Sequence, residues 1–530
     1  MAKNVIYADN AQKKLFDGIE KVAKAVSSTL GPRGKLVVME SQNGMGTPII
    51  SKDGVTVAKA FSLKDKYENL GVNLIKEVAG KSGKVGDGTT TATILAYALA
   101  KEGLKVMSAG ASPTDLKKGI DVATKQVVDL IEKKSKPIEK AEDIYNVAKI
   151  SANNDELIGK LVSEAFEKIG NDGTISVDES STSETYISFK EGMCFDKGWI
   201  SPYFVNNEKF QCELKDCFVL VTDETISSAK QIINILNKVA QTGKPLVIIA
   251  DDVTGEVLPI LIMNNAKGSI RCNVVKAPSY GENRKAILED IAVLTGGCFV
   301  SETVGLKLSD IDIHHLGNAD KIVSSKEETI IVGGNGSSSA IEERVKKLKA
   351  QMETETSDVN IDKLKERIAK LSGGVCVLNV SAETEVQMKE LKDRIEDTLC
   401  SVKASLKEGI VCGGGVTLAM ISKELVAPKE LNSDELVGFN IVKNALVYPL
   451  KTLAENADMS ADVVISETLK NTDGKCGYNM LTREWDKDLS TKVVDPTLVE
   501  TSAIKNASSV VGLILTTNVA IVEEDEKEAN

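Results

Sequence analysis

Gly86-Asp87-Gly88-Thr89-Thr90-Thr91 stands directly before an alanine-rich stretch with helical periodicity. Glycines at such a place let backbone N–H groups close on an anion, and the helix N-terminus adds positive partial charge, so phosphate is the natural ligand. Asp87 is placed to hold a divalent cation bridging phosphate oxygens, and the three threonine hydroxyls can add hydrogen bonds to them. The run is not a Walker A loop, because GxxxxGK[ST] is absent, and taken alone it serves equally well as a turn and helix cap. Other loops of the same kind point to a composite nucleotide site: Thr29-Leu30-Gly31-Pro32 at a helix end, Ser51-Lys52-Asp53-Gly54 after a strand, and Gly413-Gly414-Gly415 opening a helix. Transfer of a phosphoryl group to water also needs a positioned water and a carboxylate to orient or deprotonate it, so a further Asp must approach the site.

The elements that must carry these loops follow from periodicity. Residues 10–30, 70–80 and 89–109 read as helices rich in Ala and Leu, with short strands at 35–40 and 47–51 around Asn43-Gly44. After Pro137 the pattern shortens to helices at 141–149 and 156–169 and strands near 174–178 and 185–190, a small connecting module. From Gly192 to about Leu371 buried-strand runs such as Phe218-Val219-Leu220-Val221 and residues 246–250 alternate with helices, the mark of a separate α/β domain that closes on charged, solvated helices over 341–371. Gly192 and Gly373-Gly374 flank it and read either as hinges or as plain turns. Long helices return after Gly409, including 438–456 and 460–471, so the α/β domain is inserted into a helical one.

Composition narrows the function classes. At 530 residues the chain is long enough for about three or four compact units. A net charge of -12 with 4% aromatic residues argues against a nucleic-acid binder, which needs clustered cations and stacking platforms. Nine scattered cysteines without a CxxC pair read as free thiols of a reducing compartment. His314 and His315 are the only histidines, too few for a His-based zinc site; on a strand they would point apart, and they read as a loop pair. Even the run 510–522 is broken by Thr516, Thr517 and Asn518, so no membrane span is expected, and MAKNVIYADN resembles neither a signal nor a transit peptide. A cytoplasmic chain is the expectation, with an organelle matrix as the alternative.

These loops, together with Ile150-Ser151-Ala152-Asn153, Glu396-Asp397, Gly477-Tyr478-Asn479 and Val494-Asp495-Pro496, resemble in order and spacing the group I chaperonins of the bacterial GroEL type, from about Lys3 to Val522. The resemblance implies a multidomain α and α/β protein. A mainly helical equatorial ATP domain would come from both chain ends (1–133 and 409–530), a small α/β intermediate domain from 134–190 and 372–408, and an inserted α/β apical domain from 191–371. It implies ATP with magnesium on Asp87 and potassium on the side of Thr29, Lys52 and Thr90. Gly88, Thr89, Thr90 and Thr91 would form the phosphate loop, with Asp397 activating the attacking water and Asp53 as second carboxylate. Thr29, Leu30, Gly31, Pro32, Lys52, Ile150 and Ser151 would line the phosphate side. Gly414, Asn479, Met480, Leu481 and Asp495 would hold the nucleoside, with Met480 and Leu481 larger than the residues usual there.

In the inserted domain the resemblance assigns non-native polypeptides and a GroES-type co-chaperonin to Trp199, Ile200, Tyr203 and Phe204, to Ile233 and Leu236, and to Leu258, Ile262 and Met263. The residues alone favour a core reading for such stripes, since apolar positions three or four apart usually face inward. Gly192, Gly373 and Gly374 resemble an upper hinge, and Pro137 with Gly409 a lower one. Heptameric rings, commonly stacked in pairs, are implied as the working unit, without nucleic-acid or membrane partners. The acidic run over 523–528 stands where the family commonly has a Gly-Gly-Met tail, which implies a different chamber floor. Two rival readings are a passive binding scaffold, against which the intact Asp53, Asp87 and Asp397 argue, and a small-molecule kinase, which lacks a second substrate site.

Overall fold

The helix Thr89–Met107 buries residues on every side, among them Ala92, Leu95, Ala96, Leu99 and Ala100, so it has to sit at the centre of a helical layer rather than at its surface. Its neighbours are the helices Thr497–Thr516, Ala8–Ser27 and Lys66–Gly83, and the pair Pro113–Lys134 and Ser433–Ala445 packs alongside. Thr497–Thr516 is long and apolar enough to cross a membrane by length and composition, a length the broken run 510–522 did not suggest, and 67% of that stretch is buried in the protein. The computed structural model describes residues 3–40, 48–83, 88–170, 173–180, 182–355, 357–471 and 474–523. The expected Asn43-Gly44 turn, Gly86, Asp87 and the acidic run after Glu523 lie outside them.

The chain forms two compact units, Ala165–Ser381 inserted into one built from Met1–Glu164 and Ala382–Asn530. In the second of these the chain ends meet: strand Lys3–Tyr7 pairs antiparallel with Val519–Glu523, Lys3 opposite Glu523. The hairpin of strands Val37–Met39 and Ile49–Ser51 forms where residues 35–51 predict it. The single helix expected over 438–456 is two, Ser433–Ala445 and Tyr448–Asn456, with Pro449 in the first turn of the second, where its missing N–H costs nothing.

The inserted unit is built on a seven-stranded sheet. Its order is Cys272–Lys276, Leu246–Ala250, Cys212–Thr222, Gly317–Ser324, Thr329–Gly334, Gly192–Phe195, and Phe299–Val300 also pairs with Cys212–Thr222. The first three strands run parallel and Leu246–Ala250 is buried throughout, as a strand covered on both faces must be. A separate three-stranded sheet places Val375–Val380 between Thr174–Glu179 and Tyr186–Lys190. The charged helices Ser338–Thr354 and Asp358–Gly373 are not merely solvated: Ile341 and Leu348 are buried, and Arg344 and Arg367 bond the buried Asp290 at 2.7 and 2.6 Å. The histidines lie in a turn, as a loop pair would. They share the 3-10 turn Ile313–His315 with ring centroids 4.0 Å apart, and Nδ1 of His315 accepts the Asp312 N–H.

At the proposed hinges, Gly409 (φ +81°) ends the helix Glu385–Glu408 in the left-handed region, and a Cβ there would meet the Lys136 carbonyl at 2.4 Å. Lys136, the neighbour of Pro137, forms an isolated bridge with Ile410, so the two crossing strands touch at this point. In the inserted unit Gly192 begins its strand against Val375, and Gly374, which follows the exposed Gly373, lies against the Lys190 carbonyl.

Candidate functional site

The helix Ala8–Ser27 ends in a turn that carries Thr29 to Gly34, closed by Gly34 N–H to the Gly31 carbonyl (3.0 Å) and Lys35 N–H to Ser28 (2.7 Å). Thr29 is buried and its hydroxyl donates to the Val26 carbonyl at 2.8 Å. Asp53 caps the helix Gly54–Ala60: its two carboxylate oxygens accept the N–H groups of Val55 (3.1 Å) and Thr56 (2.7 Å). A Cβ on Gly54 would lie 2.3 Å from Thr90 Oγ1, which puts the Asp53 turn against the start of Thr89–Met107.

Gly88 caps that helix with φ +91° and, as a glycine, offers its first-turn N–H groups no side-chain acceptor. Thr89 corrects the expectation of three ligand hydroxyls: it is buried and its hydroxyl donates inward to the Ala79 carbonyl at 3.4 Å, leaving Thr90 and Thr91 half-buried at the entrance.

Strand Ile410–Cys412 pairs with Val494–Pro496, Val411 opposite Asp495, and Gly414 N–H donates to Asp495 Oδ2 at 3.2 Å. Burial, with a smaller effect from Asp495, pushes the Cys412 thiol beside this loop up to about 12. Asn479 ends the short strand Gly477–Asn479, and its Oδ1 accepts the N–H groups of Leu481 (3.0 Å) and Thr482 (3.3 Å), holding the hairpin tip. Met480 and Leu481 part company here: Met480 turns into a core cluster with Leu30, Leu450 and Tyr478, while Leu481 is exposed.

Asp397 is half-buried on the helix Glu385–Glu408, which packs on strand Val494–Pro496, on helix Thr497–Thr516 and on helix Ala141–Ser151, whose last turn carries the half-buried Ile150 and Ser151. One turn before Asp397 lies Arg394, close enough to Lys52 to act on it: burial first, then the Arg394 charge, holds the Lys52 ammonium below its ordinary pKa. The described residues thus bring Thr29 to Pro32, Lys52, Asp53, Gly88 to Thr91, Ile150, Ser151, Asp397, Gly414, Asn479 to Leu481 and Asp495 into one unit, from segments as distant as its two ends. Among the described residues no group of three His, Cys, Asp or Glu is gathered to hold a metal by itself.

In the inserted unit, Tyr203 (74% exposed), Ile233 (53%) and Met263 (52%) face solvent, while Ile200, Leu258 and Ile262 are half-buried against the core and Trp199 is half-buried. Two residues expected on this surface belong to the core. Phe204 is 1% exposed, on the inner side of the 3-10 turn Pro202–Phe204, and Leu236 is 7% exposed, turned in with Ile235 and Val239. The sequence reading also missed Phe210, which is 75% exposed with φ +56°, its carbonyl held by the Trp199 indole N–H at 3.2 Å. Its only sequence signal was an apolar residue inside a polar loop.

Residues 22–525 match the TCP-1/cpn60 chaperonin family. The chain belongs to this family. Among solved structures it is similar to the chaperonin gp146 from bacteriophage EL 2 (Pseudomonas aeruginosa), crystallised in the presence of ATP-BeFx. The identity is 22% with a TM-score of 0.67, over 98% of this chain and 99% of that one. At that identity the likeness is one of fold, and it carries the equatorial, intermediate and apical arrangement of a chaperonin.

Proposed function

We propose that this chaperonin is of the group I, GroEL-like type, and that it hydrolyses ATP to drive release of non-native polypeptides into a ring chamber closed by a GroES-type lid. The observation that supports the reading is that the Asp53 turn lies against Thr90 at the start of helix Thr89–Met107, while Gly88 faces Val499, four residues after the Asp495 that takes the Gly414 N–H. The related chaperonin crystallised with ATP-BeFx supports it.

A phosphate would sit at this helix start, where a glycine is required because a Cβ on Gly88 would collide with Val499. Magnesium would be held by Asp87 and phosphate oxygens and would neutralise charge at the transferred group. Potassium would take oxygens of Thr29, Lys52 and Thr90, with Lys52 contributing its carbonyl because an ammonium has no lone pair. Asp397 orients and deprotonates water, Asp53 assists from its cap position, and Gly414, Asn479, Leu481 and Asp495 seat the nucleoside. Ile150 and Ser151 close the site from the intermediate domain (134–190 and 372–408), which turns about Pro137 and Gly409 below and Gly192, Gly373 and Gly374 above.

Client and lid would share Tyr203, Ile233 and Met263, with Ile200, Leu258 and Ile262 behind them. A homo-oligomeric ring is supported by two open-edged two-stranded sheets whose apolar residues face solvent, Val38 and Ile50 on one and Tyr7 and Ile521 on the other. The deciding experiment is phosphate release against ATP concentration, with magnesium and potassium present, for the intact chain and Asp397→Ala. A sigmoidal curve that collapses in the variant is expected. An intact chain that binds ATP and releases no phosphate overturns the reading in favour of a passive scaffold.

A further inference from the structure

The phosphate-side turn and the nucleoside-side module come from opposite ends of the chain. Asn456, at the end of helix Tyr448–Asn456, donates from Nδ2 to the carbonyls of both Ser27 (2.9 Å) and Leu30 (3.0 Å) across 429 and 426 residues of sequence. The Ser27 carbonyl ends helix Ala8–Ser27 and also accepts the Leu30 N–H at 3.2 Å, and the Leu30 carbonyl lies in the turn that follows. On the other side of the same turn, the Arg33 guanidinium donates to the Leu481 carbonyl at 3.1 Å, tying it to the hairpin tip that Asn479 organises. Between the two bonds Leu30 packs in the cluster that contains Leu453 and Met480, and a Cβ on Gly31 would touch Leu453.

We propose that Asn456 and Arg33 are positioning residues that fix the distance between the half-site for phosphates and the half-site for the nucleoside, so that a nucleoside polyphosphate meets both at once. The inference rests on the nucleotide reading given above. Neither residue contacts the reacting atoms; each sets the spacing of groups that do. The physical consequence is selective. A ligand that spans both halves gains from their fixed separation, because the second contact becomes intramolecular, whereas a ligand that fills one half is indifferent to it. Losing two hydrogen bonds of ordinary net strength should weaken a spanning ligand by about 10-fold.

The test uses the full chain and three probes, ADP by calorimetry, and adenosine and inorganic pyrophosphate by ligand-observed NMR. Asn456→Leu is expected to bind ADP about 10-fold more weakly while adenosine and pyrophosphate change by less than about twofold, and in turnover KM for ATP rises more than kcat falls. Should Asn456→Leu fail to fold by circular dichroism, Arg33→Met removes the exposed bridge alone and should show the same pattern at about threefold, with Arg33→Lys restoring part of it. Equal losses for ADP and adenosine, or no loss of ADP affinity, overturn the inference. An intact chain that binds no ADP removes the nucleotide reading itself, and this inference with it.

Discussion

Replacing Gly88 by alanine places a methyl group 2.5 Å from Cγ1 of Val499, in a backbone held at φ +91°. Two costs arise that can be separated. The left-handed backbone costs an alanine about 1–2 kcal/mol whatever surrounds it. Overlap with Val499 adds about 1–3 kcal/mol, as overpacking in a filled core does, since the Val499 side chain is buried and has little room to move. The sum is about 2–5 kcal/mol. Only the second part is relieved by Val499→Ala, so the double variant Gly88→Ala/Val499→Ala should be more stable than the sum of the single effects by about 1–3 kcal/mol. Urea unfolding followed by Trp485 fluorescence, in a Trp199→Phe background, reads this unit alone, because Trp199 and Trp485 are the chain's two tryptophans and lie in different units. The same variants titrated with ADP should bind weakly even where stability returns, since the left-handed cap aims the first-turn N–H groups. A coupling within about 0.5 kcal/mol of zero would refute the geometry argued for this helix start.

In the inserted unit, Phe204→Ala should lower stability by about 3–5 kcal/mol and Leu236→Ala by about 2–5, while Tyr203→Ala and Ile233→Ser leave unfolding nearly unchanged and reduce capture of a chemically unfolded client. Denaturant melts set beside a light-scattering aggregation assay distinguish the two classes, and a client defect without a stability defect in Phe204→Ala would contradict its burial. Burial pushes the thiols of Cys212, Cys217, Cys272 and Cys412 up to about 12, so at pH 8 they are protonated and should resist iodoacetamide in the folded protein. Exposed Cys298 and Cys400 should be labelled first, as peptide mass spectrometry would record.

Local pattern made some elements readable and left others hidden. The helix Glu156–Ile169 and the strand Leu246–Ala250 appear where periodicity and an unbroken apolar run place them, because both signals lie within the segment itself. The surface placement of Phe204 and Leu236 came from the family resemblance, whereas for the Leu236 stripe the residues alone favour the core, where it lies. Tyr203 and Phe204 are neighbours of similar character with opposite exposure. The loops of the site announced themselves by Gly, Asp and Thr, but Thr89 could not be told from Thr90, since the Ala79 carbonyl that takes its hydroxyl is an unmarked backbone group. Asn456 and Arg33 carry no signal at all: a lone Asn at a helix end and one Arg in a turn acquire meaning only through partners more than 400 residues away.

The antiparallel pairing of Lys3–Tyr7 with Val519–Glu523 has a consequence for how the polypeptide is made. The first strand leaves the ribosome with its partner still untranslated, and at about 5–20 residues per second it waits on the order of 25–100 s. The contiguous stretch Ala165–Ser381 needs nothing from the C-terminal end to close its sheets and can fold during elongation. The helices of the other unit meanwhile carry apolar faces without their mates. This unit is thus closed only once strand Val519–Glu523 has emerged to pair with Lys3–Tyr7.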